Sequence, residues 1–245
     1  MKRLIIALII FTTPFVSNAQ LKKVALISVF GNRNLSNNIL ETSLYEALMK
    51  DSSFNLTKIV TKFDNIITTT LVPQFPFPFV PKEEVVNANG YKDLKELTKW
   101  AKDDWQTTPA EGYVPIAAFG IFDDEAAIKK SFDVIPDIDG VMIAYIEFQL
   151  YDAVGMGGIT TKKVYAYVNI KIFDKDGDRI FKLKERSSSS GSVMAIGGFV
   201  TDVKKIMPLI NDASDKLLVD MQQKLPKSLA KMAKKMEKDK EKGKD

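Results

Sequence analysis

The sequence predicts a single α/β domain of the α+β kind: a mixed sheet of about five strands, flanked by helices and closed by a long C-terminal helix. Three observations carry this prediction. The run from Lys22 to Phe30 (KKVALISVF) is almost continuously apolar, as a strand covered on both faces must be. From Lys162 to Asp174 the chain alternates strictly: Val164, Ala166, Val168, Ile170 and Ile172 point one way, and Tyr165, Tyr167, Asn169 and Lys171 the other. Val203, Ile206, Ile210, Ala213, Leu217 and Met221 recur at spacings of three and four, which gathers them on one side of a helix.

Residues 1–19 precede that domain and read as an export signal. Lys2 and Arg3 form a basic start, an apolar run follows from Leu4, and Ser17-Asn18-Ala19 supply small residues for cleavage after Ala19. Thr12, Thr13 and Pro14 break the apolar run well short of the ~20 residues that span a bilayer. The expected location of the mature chain is the periplasm or the cell exterior.

After the first strand, Gly31 to Asn34 make a turn. Ser36 can cap a helix reaching Lys50, with Ile39, Leu40, Leu44, Ala47 and Leu48 on one side. Phe54 to Lys62 reads as a second strand through Phe54, Leu56, Ile59 and Val60. Residues 71–89 are a Phe/Pro-rich insertion loop (LVPQFPFPFVP at its start), whose prolines hold an extended backbone unsuited to a central strand. Phe75, Phe77 and Phe79 project from one side of it. They either lie buried across the body or form an exposed arm that contacts a partner.

Lys92 to Asp103 reads as a helix with Leu94, Leu97 and Ala101 inward, beside Trp100. Asp123 to Phe132 reads as another, acidic at its start and basic near its end, as the helix dipole favours. Strands follow at Val141–Tyr151, Lys162–Asp174 and Arg179–Arg186, joined by a loop at Gly155–Gly158 and a hairpin turn at Asp176-Gly177. Ser187–Ser192 and Gly197-Gly198 read as a flexible connection to the last helix. Pro208 places a kink or a start there, and Pro226 the end of the folded body.

The chain has no histidine and no cysteine, which removes imidazole-based nucleophilic machinery and ordinary zinc sites. It also removes disulfides and a thioether-linked lipid; about 225 mature residues can build a core without staples. The formal charge of +4 is uneven. Lys2 and Arg3 carry +2 and the Lys-rich tail 226–245 carries +4, so the body is near −2, without the concentrated basic excess of a nucleic-acid groove.

Candidate chemistry is thin. Asp174, Asp176, Asp178 and Glu185 have calcium-loop spacing, but Arg179 stands where the loop needs glycine and the flanks are strands. Gly155-Met156-Gly157-Gly158 lacks a phosphate-loop pattern, Ser228 to Lys231 lacks the companions of an S-x-x-K hydrolase, and Asp139 sits where a turn alone places aspartate. No catalytic, cofactor or metal-ligating residue is assigned. In the tail, Leu229, Met232, Ala233 and Met236 fit either a short amphipathic helix touching lipid or, as expected here, a frayed end.

Lys23-Val24-Ala25-Leu26-Ile27 as a first strand, Asp139-Gly140 before a middle strand and the Asp174–Gly177 hairpin resemble the small α/β domain shared by the CsgG-like curli-secretion proteins, the LpoB activators of penicillin-binding proteins and the N-terminal domain of TolB. The chain differs from them in lacking a lipid-bearing cysteine, in its Phe/Pro insertion and in its basic tail. The resemblance implies a non-enzymatic cell-envelope protein that binds or scaffolds another envelope protein. Phe75, Phe77, Phe79 and Met156 are then the expected contacts, with at most peripheral membrane contact through the tail and no nucleic acid. Two other readings stay open: a hydrolase of envelope glycans using carboxylates alone, and a carrier of lipid or another small ligand.

Overall fold

The computed structural model describes residues 21–33, 35, 46–48, 50–51, 54–98, 107–118 and 124–241. The expected leader, most of the helix expected over 36–50, and the end of that expected over 92–103 with both tryptophans lie outside the described residues.

The spine is one long hairpin. Strand β3 (Gly140–Met156) pairs antiparallel with β4 (Ile159–Asp174) from Gly140↔Asp174 to Met156↔Ile159. At ~3.3 Å per residue the hairpin is roughly 50 Å long. Strand β1 (Val24–Asn32) lies parallel to the near half of β3, and β2 (Thr107–Pro109) pairs with its end. On the other side β5 (Arg179–Ser188) covers the near part of β4. A small hairpin of β6 (Val193–Ile196) and β7 (Phe199–Val200) covers the far part. The expected mixed α/β domain is observed, with seven strands because three short ones join the sheet.

The inner face carries the aliphatic side of β4, buried together with Met142, Ala144, Ile146 and Phe148 of β3. Helix α4 (Ile206–Glu241) lies across β4 and β5. Helices α1 (Thr57–Ile66), α2 (Lys82–Val86) and α3 (Glu125–Val134) belong to the crossover between β1 and β3 that parallel pairing requires.

Five expectations need correction. Phe54–Lys62 is not a strand: α1 begins at Thr57, whose N–H donates to Asn55 Oδ1 at 2.8 Å, and Ile59, Val60, Phe63 and Ile67 bury one helical face. The period-two reading fails because its polar positions also fit a helix period.

The Phe/Pro stretch is neither wholly extended nor an exposed arm. It continues α1 through a wide turn at Ile67–Leu71 and a tight one at Val72–Gln74. It then pairs with β1 through the Val24 N–H to the Pro78 carbonyl (3.0 Å) and the Val80 N–H to the Val24 carbonyl (2.8 Å). Phe75 and Phe77 are buried and Phe79 is half-buried. The Phe75 ring meets Phe77 at 5.4 Å, Phe79 at 5.5 Å and Phe181 of β5 at 4.9 Å. The Phe75 and Phe77 rings are core and so are not available partner contacts, while Phe79 packs against them half-buried.

The serine run is not a free linker. Asp212, Lys216, Asp220 and Lys224 recur every four residues along α4, a spacing that aligns side chains on one helical stripe. They meet the chain in turn. The Ser190 N–H donates to Asp212, Lys216 Nζ donates to the Ser188 carbonyl (3.0 Å) and Ser190 Oγ (2.6 Å), Ser187 Oγ donates to Asp220, and Lys224 pairs with Glu185 at 2.7 Å. The short side chains let the strand approach the helix closely enough to bond.

Pro226 does not end the body either. Helix α4 runs through it, because Leu225, Ser228 and Met232 continue the buried stripe and Lys235 Nζ reaches the Arg179 carbonyl at 2.6 Å. The apolar side of the tail therefore faces its own sheet. Pro208, by contrast, sits in the first turn, where proline is tolerated. In the middle of the chain, Lys92–Leu97 is a 3-10 turn that leaves Leu97 exposed instead of inward.

Candidate docking surface on the outer sheet face

The opposite side of the sheet has two zones, central and distal. In the centre, Tyr165, Tyr167, Asn169 and Lys171 of β4 stand beside Tyr151, Gln149 and Glu147 of β3 and beside Ser188, Arg186, Lys184 and Lys182 of β5. Tyr151 and Tyr165 stack with ring centres 3.9 Å apart and planes 15° apart. Arg186 lies 5.0 Å from the Tyr165 ring centre, and the Tyr151 and Ser188 hydroxyls are 2.6 Å apart.

The charge here is one-sided. Lys171 and Lys182 are direct cross-strand neighbours, an arrangement that costs stability when like charges face each other. Lys171 turns its ammonium to the Ala118 carbonyl. Lys182 is held below its ordinary lysine value, first by loss of water and then by the charges of Arg179 and Lys184. Glu147 is held above the ordinary glutamate value by burial, against the pull of Lys184. Lys182, Lys184 and Arg186 are exposed on this face.

The distal zone is apolar. Met156 pairs with Ile159, Ile159 with Ile196, and Ile196 with Phe199, so four large side chains form one row across four strands. One rung behind, Val154 pairs with Thr161 and Thr161 with Met194. Met156 is 89% exposed, Val154 74% and Phe199 61%. Of eight exposed large apolar residues among those described, six belong to this end; Leu97 and Val219 are elsewhere.

A β-bulge makes the row possible. The β3–β4 register slips between Asp152 and Val154, leaving Ala153 without a partner. A one-residue slip reverses the faces of everything beyond it. Tyr151 and Val154 thereby share the outer face, while Asp152 turns inward to the nearly buried Lys162 at 3.2 Å. Gly155, facing Thr160, has no room for a β-carbon: one would lie 2.5 Å from the threonine methyl.

Of the four residues expected at a contact, then, Met156 is on the surface, Phe75 and Phe77 are in the core and Phe79 is half-buried against them. Ile159, Ile196 and Phe199 join Met156 there without having been expected from the sequence. Their signal was the recurrence of Met-Gly-Gly-Ile at 156–159 and Ile-Gly-Gly-Phe at 196–199. The central tyrosines were seen as the polar side of a strand, but not as a stacked set beside Arg186.

The candidate acids serve the fold. Asp139 accepts the Lys22 N–H at 3.0 Å and faces Lys175 at 3.7 Å. Asp174 accepts the Asp178 N–H at 2.7 Å, closing the hairpin that the calcium spacing imitated. Ser228 is buried within α4. A cleft of about 520 Å³ at the end of β1 is lined by Arg33, Asp51, Asn55 and Thr107 among others, a polar wall unlike the apolar one a lipid carrier needs.

No known protein-family pattern matches the chain, and no curated protein is similar to it. Solved structures align with the chain only distantly, two of them as follows. Hypothetical protein CT253 from Chlamydia trachomatis aligns over 85% of this chain and 97% of its own, at 13% identity and a TM-score of 0.39. A neuraminyllactose-binding hemagglutinin homolog from Helicobacter pylori aligns over 94% and 96%, at 13% identity and a TM-score of 0.36. Likenesses that distant do not bear on activity.

Proposed function

We propose that this chain is an exported, non-enzymatic cell-envelope protein, a binding or assembly domain whose central outer face docks an acidic surface of another envelope protein. The observation that carries this is the stacked Tyr151–Tyr165 pair with Arg186 beside it, set among the exposed Lys182 and Lys184. Tyrosine and arginine are the residues that concentrate binding energy at protein interfaces: they combine large rigid area with directed polar groups. Crowding of like charge on one strand face is unfavourable in the free protein and is relieved by an acidic partner. The export signal and the resemblance to envelope α/β domains support the same reading. So does the structural engagement of Asp139, Asp174, Asp212 and Asp220.

Photo-crosslinking from position 184 in the native envelope tests it. One protein with an acidic contact surface is expected to be trapped, less at high salt. Tyr165→Ala combined with Arg186→Glu is expected to abolish trapping with the thermal midpoint unchanged. Trapping of glycan alone, or trapping indifferent to both substitutions, overturns the reading.

A further inference from the structure

We infer that the distal end of the sheet is a lipid-contact tip, resting its apolar row in the interface of an anionic membrane. The argument is independent of whatever docks at the centre of the face. Residues 153–161 and 193–201 contain no charged side chain, and they form the ends of two adjacent hairpins. Both hairpins turn on a Gly-Gly pair with positive φ at each glycine, so neither turn carries a side chain that would resist leaving water.

Between these four strands the backbone is bonded within the protein, while Thr160 Oγ1 is buried without a partner. The four strands pair up to the row itself, and the Gly197 N–H donates to the Gly158 carbonyl at 2.8 Å. The Thr161 hydroxyl donates to the Val154 carbonyl at 3.2 Å, and the Thr201 hydroxyl and N–H both donate to the Met194 carbonyl at 3.0 Å. Backbone that enters an apolar phase must be satisfied internally in this way, because lipid offers no replacement for water. A protein interface, by contrast, normally presents about one hydrogen-bonding group per 100–200 Å² for its partner.

Charge selects the occupant. Immediately behind the apolar segments stand Lys162, Lys163, Lys204 and Lys205, against Asp152 and Asp202. Asp152 pairs with Lys162 at 3.2 Å and Asp202 with Lys205 at 3.9 Å, which leaves a basic balance. Lys163, on the outer face, lies four residues from Ile159, about 13 Å at strand rise. Interfacial segments bury their apolar side ~5–10 Å deep, which puts the Lys163 ammonium at headgroup level, beside Tyr151 opposite it. The Lys-rich end of α4 reaches Arg179 at the other end of the sheet, so it is not part of this contact.

Vesicle flotation decides the matter, using the chain from Gln20, which keeps every described residue. Binding to phosphatidylglycerol–phosphatidylcholine vesicles is expected, and weaker binding to phosphatidylcholine alone. Met156→Ser, Ile196→Ser and Phe199→Ser together are expected to weaken binding roughly tenfold or more, because the interfacial term scales with buried apolar area. Their exposure predicts an unchanged thermal midpoint. Phe199→Trp supplies a positive reporter, gaining a blue-shifted emission that brominated acyl chains quench. Absence of binding by the unsubstituted chain overturns the inference. So does binding that survives the triple substitution, or a triple substitution whose only effect is to split a dimer.

Discussion

The backbone N–H of Gly197 donates to the carbonyl of Gly158 across 2.8 Å, tying the turn of one hairpin to the turn of its neighbour. This bond holds Ile159 beside Ile196 and keeps the four-residue apolar row in register.

The turns themselves depend on glycine. Gly158 and Gly198 have φ of +83° and +88°, and a β-carbon at either would meet nothing within 4 Å. Gly158→Ala and Gly198→Ala are therefore expected to cost about 1 kcal/mol each from backbone strain alone. Urea unfolding measures it, and no loss at either position means that the turns adopt another form.

Burial separates two residues that the sequence grouped together. Phe77→Ala removes a ring from the cluster with Phe75 and is expected to cost about 3–5 kcal/mol. Met156→Ala removes an exposed side chain and is expected to stay within about 0.5 kcal/mol. Equal costs in equilibrium unfolding count against the fold described.

Pro226 interrupts the hydrogen-bond ladder of α4 at the Gln222 carbonyl. Pro226→Ala is expected to raise stability by about 2 kcal/mol, the gain from the restored bond less the extra freedom of the unfolded chain. Met232→Ala, at the buried stripe beyond it, is expected to lower stability by about 2–4 kcal/mol. A chain ended at Leu225 that unfolds at the same urea concentration refutes the docking of residues 226–241.

Two carboxyls give opposite pH responses. Asp212 is held below its ordinary value, chiefly by the Ser190 N–H. Its contribution is present above the ordinary aspartate value and is lost as pH falls through the lowered one. Glu147 is held above its ordinary value by burial. It favours the fold below the ordinary glutamate value, and that contribution is lost as pH rises through the raised one. Asp212→Asn should flatten the acid limb of a melting-temperature profile and Glu147→Gln the neutral limb. Profiles that both run parallel to the parent's show that neither contact forms.

The parts of the fold legible in the sequence are those where one strand or helix meets one kind of surroundings along its whole length. Strand β4 is aliphatic on one side and polar on the other from Val164 to Ile172, and the structure places those sides as the alternation demands. Asp176-Gly177 turns where the dipeptide says, with Gly177 at φ +84°. Within the candidate site only Met156 was legible, because a side chain between glycines in a hairpin loop has little to cover it.

What the sequence determined by itself is periodicity, turn chemistry and the exclusion of imidazole and thiol chemistry, all of them properties of residues and their near neighbours. The tertiary structure alone decided which surfaces meet. It chose burial for Phe75 and Phe77 by setting Phe181 against them, and helix over strand for Thr57–Ile66 by giving Phe63 a core to face. It bound the serine run to the four-residue stripe of α4, and it reversed the end of β3 through a bulge at Ala153. The physical reason is the same in each case. A chain segment reports which of its sides is apolar, but burial and register are properties of pairs, and the second member of each pair lies far away in sequence.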